Sequence, residues 1–506
     1  MKANDDCHTE PRFNLIEEPW IPVVDAGLVS LRLIFTRTGS DAYRGLGGNP
    51  VQKIALTKLL LAIAQSAYTP QDDQDWKELG AQGLASACIA YLEKWHDAFY
   101  LYGEKPFLQV TAIKAAKVQS FGAVVAEVAT GNTTILTQYN AEKSFTDADK
   151  AMLLIQLMGF GFGGKKTDNS VVLSAGYLEK MNDKGKPSSG KPGPSLGFMG
   201  FLHSFLIGKN IQETIWFNLL QRNHLDDMPY YPNGLGVAPW EDMPFGEACA
   251  SAERLKSSLM GRLLPLSRFM LLAEDGLHYS EGLAHPGYMD GVVDPSVAVD
   301  FSAKKPRVLW VDPEKRPWRS LTSLLSFMGD RKFDCYQLRF NLTRLHHEPK
   351  TVGIWSGGLR VSNNAGEQYL SGSDDYVDSV VFLNIADLGD IWYSNLQNEM
   401  NQLDLLSKTV YGRVMGYFKA QQMDGKDIPA QASNIFWQLC EPIFQDLVSA
   451  CDDESSLHAL RPNFARIVHQ VYDLFCPKDT ARQIDAWAKN KPDTRKYLNF
   501  NHGASQ

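Results

Sequence analysis

A chain of 506 residues has room for about two to four structural units at roughly 100 to 200 residues each. Its composition, 44% hydrophobic and 11% aromatic, excludes wholesale disorder. With 50 Lys and Arg against 58 Asp and Glu, a formal net charge of -8, the chain cannot coat nucleic acid by bulk positive charge, which leaves only a local basic groove for such a role.

No segment reaches the ~18 consecutive apolar residues of a membrane helix, and the opening MKANDDCHTEPR is too polar for a signal peptide. The sequence therefore predicts a cytoplasmic protein with no membrane partner. Cys7, Cys88, Cys249, Cys335, Cys440, Cys451 and Cys476 are odd in number and never spaced as CxxC. That pattern fits a reducing compartment and gives no metal site, and no cofactor is expected.

In chain order, Phe13 to Val23 reads as a strand entering a turn at Pro19 and Pro22. Helices follow at about Val51 to Tyr68 and Gly83 to Phe99. Then come a β-like VVAEV segment, a polar loop at Thr130 to Ser144 and a helix at Asp147 to Met158. From Gly159 to Gly200 the chain is crowded with Gly, Lys, Ser and Pro, which fits either a surface loop or a loop that orders on an anionic partner. Residues 301 to 360 carry 12 Lys and Arg against 5 Asp and Glu, and residues 361 to 399 carry none against 7. This dipolar middle is either solvated surface or a place for a phosphate backbone beside a place for a protein.

Beyond about Ala386 the apolar spacing becomes helical. Leu396, Met400, Leu403, Val410, Val414 and Tyr417 form one stripe; Ile435, Leu439, Ile443, Leu447 and Cys451 form a second; Phe464, Val468, Val471 and Phe475 form a third. With a last helix near Thr480 to Leu498, the fold class is α+β: a large mixed α/β domain over 1–382, then an antiparallel four-helix bundle over 383–506.

The segment GFGFGGKKT, Gly159 to Thr167, satisfies GxGxxG and nearly satisfies GxxxxGK[ST]. A phosphate-binding loop needs its hydroxyl directly after the lysine, but Lys166 stands there and Thr167 comes one residue late. The loop also needs a strand before it, where DKAMLLIQLM reads as a helix. A nucleotide-binding enzyme built on residues 159–167 is therefore the weaker alternative. There is no GxSxG or HExxH, His346 and His347 lack helical ligand spacing, and Asp374 and Asp375 read as a solvated turn. What remains is binding chemistry, because glycine lets backbone amides approach phosphates or base edges closely.

FNLIEEPWIPV (13–23), DAFYLYGEKPFLQV (97–110), GFGG (161–164), HSFLIGKNIQETIWFNLL (203–220) and IWSGGLRVSNNAGEQ (354–368) occur in the order seen in the large subunit of type I-E Cascade. By these segments the chain resembles the CasA family of CRISPR interference proteins over most of its length. Some members carry cysteine pairs resembling a zinc site, and this chain has none, so no metal is carried over.

The resemblance implies a non-catalytic subunit of an RNA-guided antiviral complex that reads a protospacer-adjacent motif on double-stranded target DNA while guide pairing reads the sequence. It implies as partners CRISPR RNA, the other Cascade subunits (backbone, small and handle-binding) and a helicase-nuclease recruited after recognition. Gly161, Phe162, Gly163 and Gly164, edged by Lys165 and Lys166, match the family's glycine loop, which approaches the motif from the minor groove. Lys304 and Lys305 match a groove-contacting lysine. Arg360 matches a phosphate contact on the hairpin that carries the family's wedge, with its tip among Ser362, Asn363, Asn364 and Gln368. The family's wedge glutamine comes sooner than Gln368, so Asn363 and Asn364 are alternative wedge residues. Asn132, Thr133 and Ile135 fall where the family grips the guide RNA handle.

Overall fold

The computed structural model describes residues 10–124, 144–161, 168, 200–226, 228, 230–345, 350–360 and 375–500. The chain forms two compact units, one of Met1–Trp318, Lys332–Arg344 and Ile354–Val380, the other of Arg319–Arg331, Leu345–Gly353 and Val381–Gln506. It is a mixed helix-and-sheet protein with small sheets and C-terminal helices, as its fold class predicts. No helix among the described residues is long and apolar enough to cross a membrane.

The strands, in chain order, are β1 (Arg12–Asn14), β2 (Ile21–Val23), β3 (Gly27–Val29), β4 (Tyr100–Tyr102), β5 (Val118–Ser120) and β6 (His203–Ile207). They continue with β7 (Arg268–Leu272), β8 (Gly276–Glu281), β9 (Val299–Asp300), β10 (Arg307–Val308), β11 (Thr351–Arg360) and β12 (Asp375–Asn384). Among the described residues two sheets have three strands, in the orders β5-β8-β7 and β12-β11-β6.

The larger unit is organised around the helix Pro50–Ala67. Asn49 and Gln52 close a capping box at its start, Pro50 occupies the first turn, and Val51, Ile54, Leu56, Leu59, Leu60, Leu61 and Ile63 are all buried. A helix apolar on every side belongs inside a core. The next helix, Asp73–Lys94, starts ten residues before the sequence reading places it and ends short of Phe99. Asp72 caps it, and Gly80, at φ 58°, kinks it near the expected start. His96–Phe99 is a separate 3-10 turn.

Trp76 of that helix stacks on Trp216 with ring centroids 4.0 Å apart. Each indole N–H donates to the other residue's carbonyl, at 2.9 and 3.1 Å. The Arg344 guanidinium lies 4.0 Å above the Trp76 ring and donates to the carbonyls of Phe217 and Leu219. The first two blocks of the family resemblance also meet: β1 pairs with β4, Trp20 donates to the Leu15 carbonyl at 2.9 Å, and Phe99, Phe107 and Trp240 pack ring to ring. VVAEV lies outside the described residues except for Val124, which ends the short helix Phe121–Val124.

Polar groups are also built into this core. The Lys58 ammonium pairs with the buried Asp294 carboxylate and donates to the Arg262 carbonyl at 2.9 Å. Burial alone would raise the Asp294 carboxyl, but the Lys58 charge and the Ser296 hydroxyl hold it below the usual range. Nearby, burial and then the Arg262 charge push His285 down to about 3, while its Nε2 lies 2.6 Å from the Pro265 carbonyl.

The second unit carries the helices Asp390–Ala420, Ile428–Ser449, Glu454–Phe475, Ala481–Asn490 and Arg495–Leu498. The first predicted stripe is buried as read. The second is buried as read at Leu447 and Cys451, but Ile435, Leu439 and Ile443 are half-buried and the residues that follow them, Phe436, Cys440 and Phe444, are buried instead. The helix expected over Thr480 to Leu498 is split in two, because Pro492 cannot continue the helical backbone. Trp392 and Asn395 donate to the carbonyls of Val448 and Cys451, capping the end of Ile428–Ser449. Within the helices Arg461 and Glu399, each 1% exposed, form an ion pair at 2.5 Å, and Arg461 also donates to the Phe500 carbonyl.

These buried charges make two stability predictions. His285 is neutral when folded and has an ordinary value of 6.5, so its contribution is complete above that pH and is lost as pH falls toward about 3. The loss is about 2 kcal/mol at pH 5. In thermal melts His285→Gln should lose less stability between pH 7 and pH 5 than the parent; parallel acid slopes would contradict the assignment. In the second unit, Arg461→Met strands the Glu399 charge and should cost about 3 to 5 kcal/mol, read as faster hydrogen exchange in Asp390–Ala420 and Glu454–Phe475. The pair Arg461→Met with Glu399→Leu should recover most of that protection.

Candidate nucleic-acid interface

The helix Asp147–Gly159 begins at a capping box between Thr146 and Asp149 and is buried from Ala151 through Gly159. It stands where a phosphate-binding loop requires a strand, as the sequence reading of DKAMLLIQLM as a helix expects, and so counts against the nucleotide alternative. After Phe160 the chain reaches Gly161, which is itself buried. A Cβ there would lie 2.7 Å from the Tyr279 hydroxyl and 2.9 Å from Arg268 Cγ, so glycine is required by contact with β7 and β8. Beneath it, Arg268 and Glu281, both fully buried, pair at 2.6 Å. On the far side, the Asp168 N–H donates to the Tyr279 carbonyl at 2.9 Å, and its carboxylate accepts the Lys117 N–H at 2.8 Å. Tyr279 thus meets both stems of the glycine segment. Phe162, Gly163, Gly164, Lys165 and Lys166 lie outside the described residues.

The Gly-Gly pair that precedes Arg360 lies inside a strand. A Gly-Gly pair signals a turn, yet Gly357 and Gly358 both lie inside β11 and are buried. A Cβ on Gly358 would come within 2.6 Å of Val311 Cγ2 and 2.8 Å of the Phe201 carbonyl, and one on Gly357 within 2.8 Å of Asp378 Cβ. The pair exists for close packing between neighbouring segments. Arg360 ends the strand, half-exposed, with Nη1 3.7 Å from an Asp312 carboxylate oxygen. Ser362, Asn363, Asn364 and Gln368 lie outside the described residues.

Beside β11 two further segments run together: Leu202 N–H donates to the Leu309 carbonyl at 2.9 Å and Val311 N–H to the Gly200 carbonyl at 3.2 Å. Immediately upstream is the hairpin β9–β10, registered Asp300 to Arg307, whose connection carries Lys304 and Lys305. Both lysines are exposed, and neither belongs to an ion pair among the described residues. Arg360 thus meets Asp312, in the segment that the Lys304–Lys305 hairpin leads into, while Gly161 is held on the separate β5-β8-β7 sheet.

The basic excess of 301–360 is not one open face. Arg344 is buried against Trp76, Arg339 pairs with Asp334 at 2.8 Å, Arg307 pairs with Asp300 at 2.7 Å, and Arg319 lies 3.8 Å over the Trp437 ring. Charge counting along the sequence cannot separate these structural cations from Lys304 and Lys305, which have no ion pair among the described residues. Asn132, Thr133 and Ile135, His346, His347 and Glu348 lie outside the described residues. Among the described residues no group of three or more His, Cys, Asp or Glu is arranged to hold a metal ion, and Cys88, Cys249, Cys335, Cys440, Cys451 and Cys476 are free thiols.

Residues 14–473 match the family model of the CRISPR-associated protein Cse1. The CRISPR-associated protein CasA/Cse1 of Thermus thermophilus is 28% identical over 346 residues. That alignment covers 63% of this chain and 61% of the relative, so the chain spans about three fifths of that relative's length. In three dimensions the chain is similar to Thermobifida fusca Cse1, with a TM-score of 0.74 at 19% identity, covering 95% of this chain and 98% of that one. It is also similar to Thermus thermophilus CasA, with a TM-score of 0.69 at 21% identity and the same coverage. A chain of a CRISPR RNA-guided surveillance complex gives 0.69 at 15% identity, covering 97% of this chain and all of that one. With a family match running through both of its units, the chain belongs to the Cse1 family of CRISPR-associated proteins.

Proposed function

We propose that this chain is a non-catalytic recognition subunit of an RNA-guided antiviral surveillance complex. In this reading it meets the protospacer-adjacent motif on duplex DNA, promotes local opening so that the guide RNA can pair, and presents the opened target to a helicase-nuclease. Its partners are CRISPR RNA, the other subunits of the complex and the target duplex. The observation that carries the reading is the Cse1 match over residues 14–473. The exposure of Lys304 and Lys305 and the half-exposed Arg360 support it, because phosphate contacts position a protein on a duplex without reading its sequence.

The roles divide by chemistry. The glycine segment Phe162 to Gly164 with Lys165 and Lys166, anchored by the buried Gly161, brings main chain to the minor groove; Lys304, Lys305 and Arg360 hold phosphates. The segment with Ser362, Asn363, Asn364 and Gln368 enters the duplex, where unstacking a step costs about a few kcal/mol that guide pairing returns. Asn132, Thr133 and Ile135 hold the guide handle. The C-terminal helices, with 12 basic and 12 acidic residues over 400–506, suit docking on the small subunits better than phosphate capture.

The test uses the assembled complex with its guide. Replacing Lys304 and Lys305 by alanine should reduce the slope of log affinity against log salt by about 2, close to one per lost phosphate contact, and weaken different target sequences equally. An unchanged slope would remove these lysines from the DNA contact, and failure of the parent chain to join the other subunits would remove the reading itself.

A further inference from the structure

All 11 tryptophans are described, and Trp310 alone stands among the exposed large hydrophobic residues, at 40% exposure. Its place is fixed. The residue bridges Phe201 as a β-partner, its ring centroid is 4.7 Å from the Phe201 ring, and the edge of Tyr288 is 6.4 Å away. Phe201 is itself buried with Val293, Val297, Val299 and Val308. A large flat ring is thus backed by a packed core while a substantial part of it faces solvent.

Electrostatics choose among occupants. Carboxylates on the segments around this ring are engaged: Asp300 takes Arg307 and the Ser302 hydroxyl, Asp312 takes Arg360, and Asp290, two residues from Tyr288, accepts the Gly287 N–H of its own turn. The Lys304 and Lys305 ammonium groups, on the hairpin that leads into Trp310, are left exposed without ion pairs among the described residues. Aromatic surface beside free cations is the pattern that holds single-stranded nucleic acid, because every base has a stacking face and every linkage has a charge. A duplex offers no such face until it opens.

We propose that the Trp310 indole is a stacking shelf for an unpaired base of the opened target, with Lys304 and Lys305 against the adjoining phosphates. The strand concerned is the displaced one, since the bases of the other strand pair with the guide. This rests on the DNA-opening role proposed above and adds a residue that the family resemblance did not supply. The shelf captures a base after the pair is broken, so it favours the opened state without reading sequence.

The experiment is a base-by-ring cycle in the assembled, guide-loaded complex. Affinities are measured for a target with a pre-melted bubble beside the motif, and for the same target with abasic sites replacing the displaced-strand bases of the bubble. Trp310→Ala should bind the first target about tenfold more weakly than the parent and the abasic target with unchanged affinity, while Trp310→Phe stays near the parent on both. Equal losses on both targets would make Trp310 a packing residue and overturn the shelf, as would no loss on either. Loss of complex assembly in Trp310→Ala would mark the ring as a protein contact and also overturn it. If the parent complex binds neither target, the DNA-opening reading fails together with the shelf; any other failure falls on the shelf alone.

Discussion

The region around Arg360 depends on two missing side chains. Gly200 sits at φ 68°, and a Cβ on it would lie 1.9 Å from the Leu359 carbonyl oxygen. Gly358 is pressed closely too, by Val311 and the Phe201 carbonyl. Only with hydrogen at both positions can residues 200–202, residues 309–311 and β11 run side by side. That close approach sets Trp310 against Phe201, ends β11 at Arg360 and leads directly from the Lys304–Lys305 hairpin. The glycines therefore act through the architecture they permit, and no ligand contact by them is needed.

Gly161 follows the same logic on another sheet. It admits the Tyr279 hydroxyl and the Arg268 side chain to its own backbone, while the Tyr279 carbonyl receives Asp168. The fully buried Arg268–Glu281 pair underneath resists distortion, because shifting either partner would expose an uncompensated charge to a low dielectric. Tyr279 thus meets Gly161 and Asp168, the described residues on either side of the glycine segment.

Much of the fold is legible in the sequence because its signals are local. Asn49 with Gln52 and Thr146 with Asp149 mark helix starts, and the aromatic-proline blocks at 13–23 and 97–110 come together through β1 and β4. The errors arise where two local patterns compete or where the cause is distant. Ile435, Leu439 and Ile443 have the same four-residue step as Phe436, Cys440 and Phe444, so periodicity alone cannot choose the buried face. A Gly-Gly pair is a turn signal in one dimension, and its burial is decided by Val311 and Phe201, distant in sequence. Of the site, Lys304, Lys305 and Arg360 are named by resemblance, but the pairing of Arg307 and Arg339 and the burial of Arg344, which leave the two lysines as the free charges of their hairpin, are not. Trp310 carries no motif, and its partial exposure follows from its bridge to Phe201, which is distant in sequence.

The central claim, that the Arg360 and Lys304–Lys305 region lies against the target duplex, is tested most directly by site-specific photocrosslinking. A photoreactive amino acid is placed at Lys304 and, separately, at the exposed Lys419 on the helix Asp390–Ala420, in guide-loaded complexes with end-labelled target duplex. The account predicts that position 304 crosslinks to DNA within a few nucleotides of the protospacer-adjacent motif, and that the crosslink disappears when the motif is scrambled. A crosslink from position 304 only to another protein subunit, or one to DNA that ignores the motif, would contradict it.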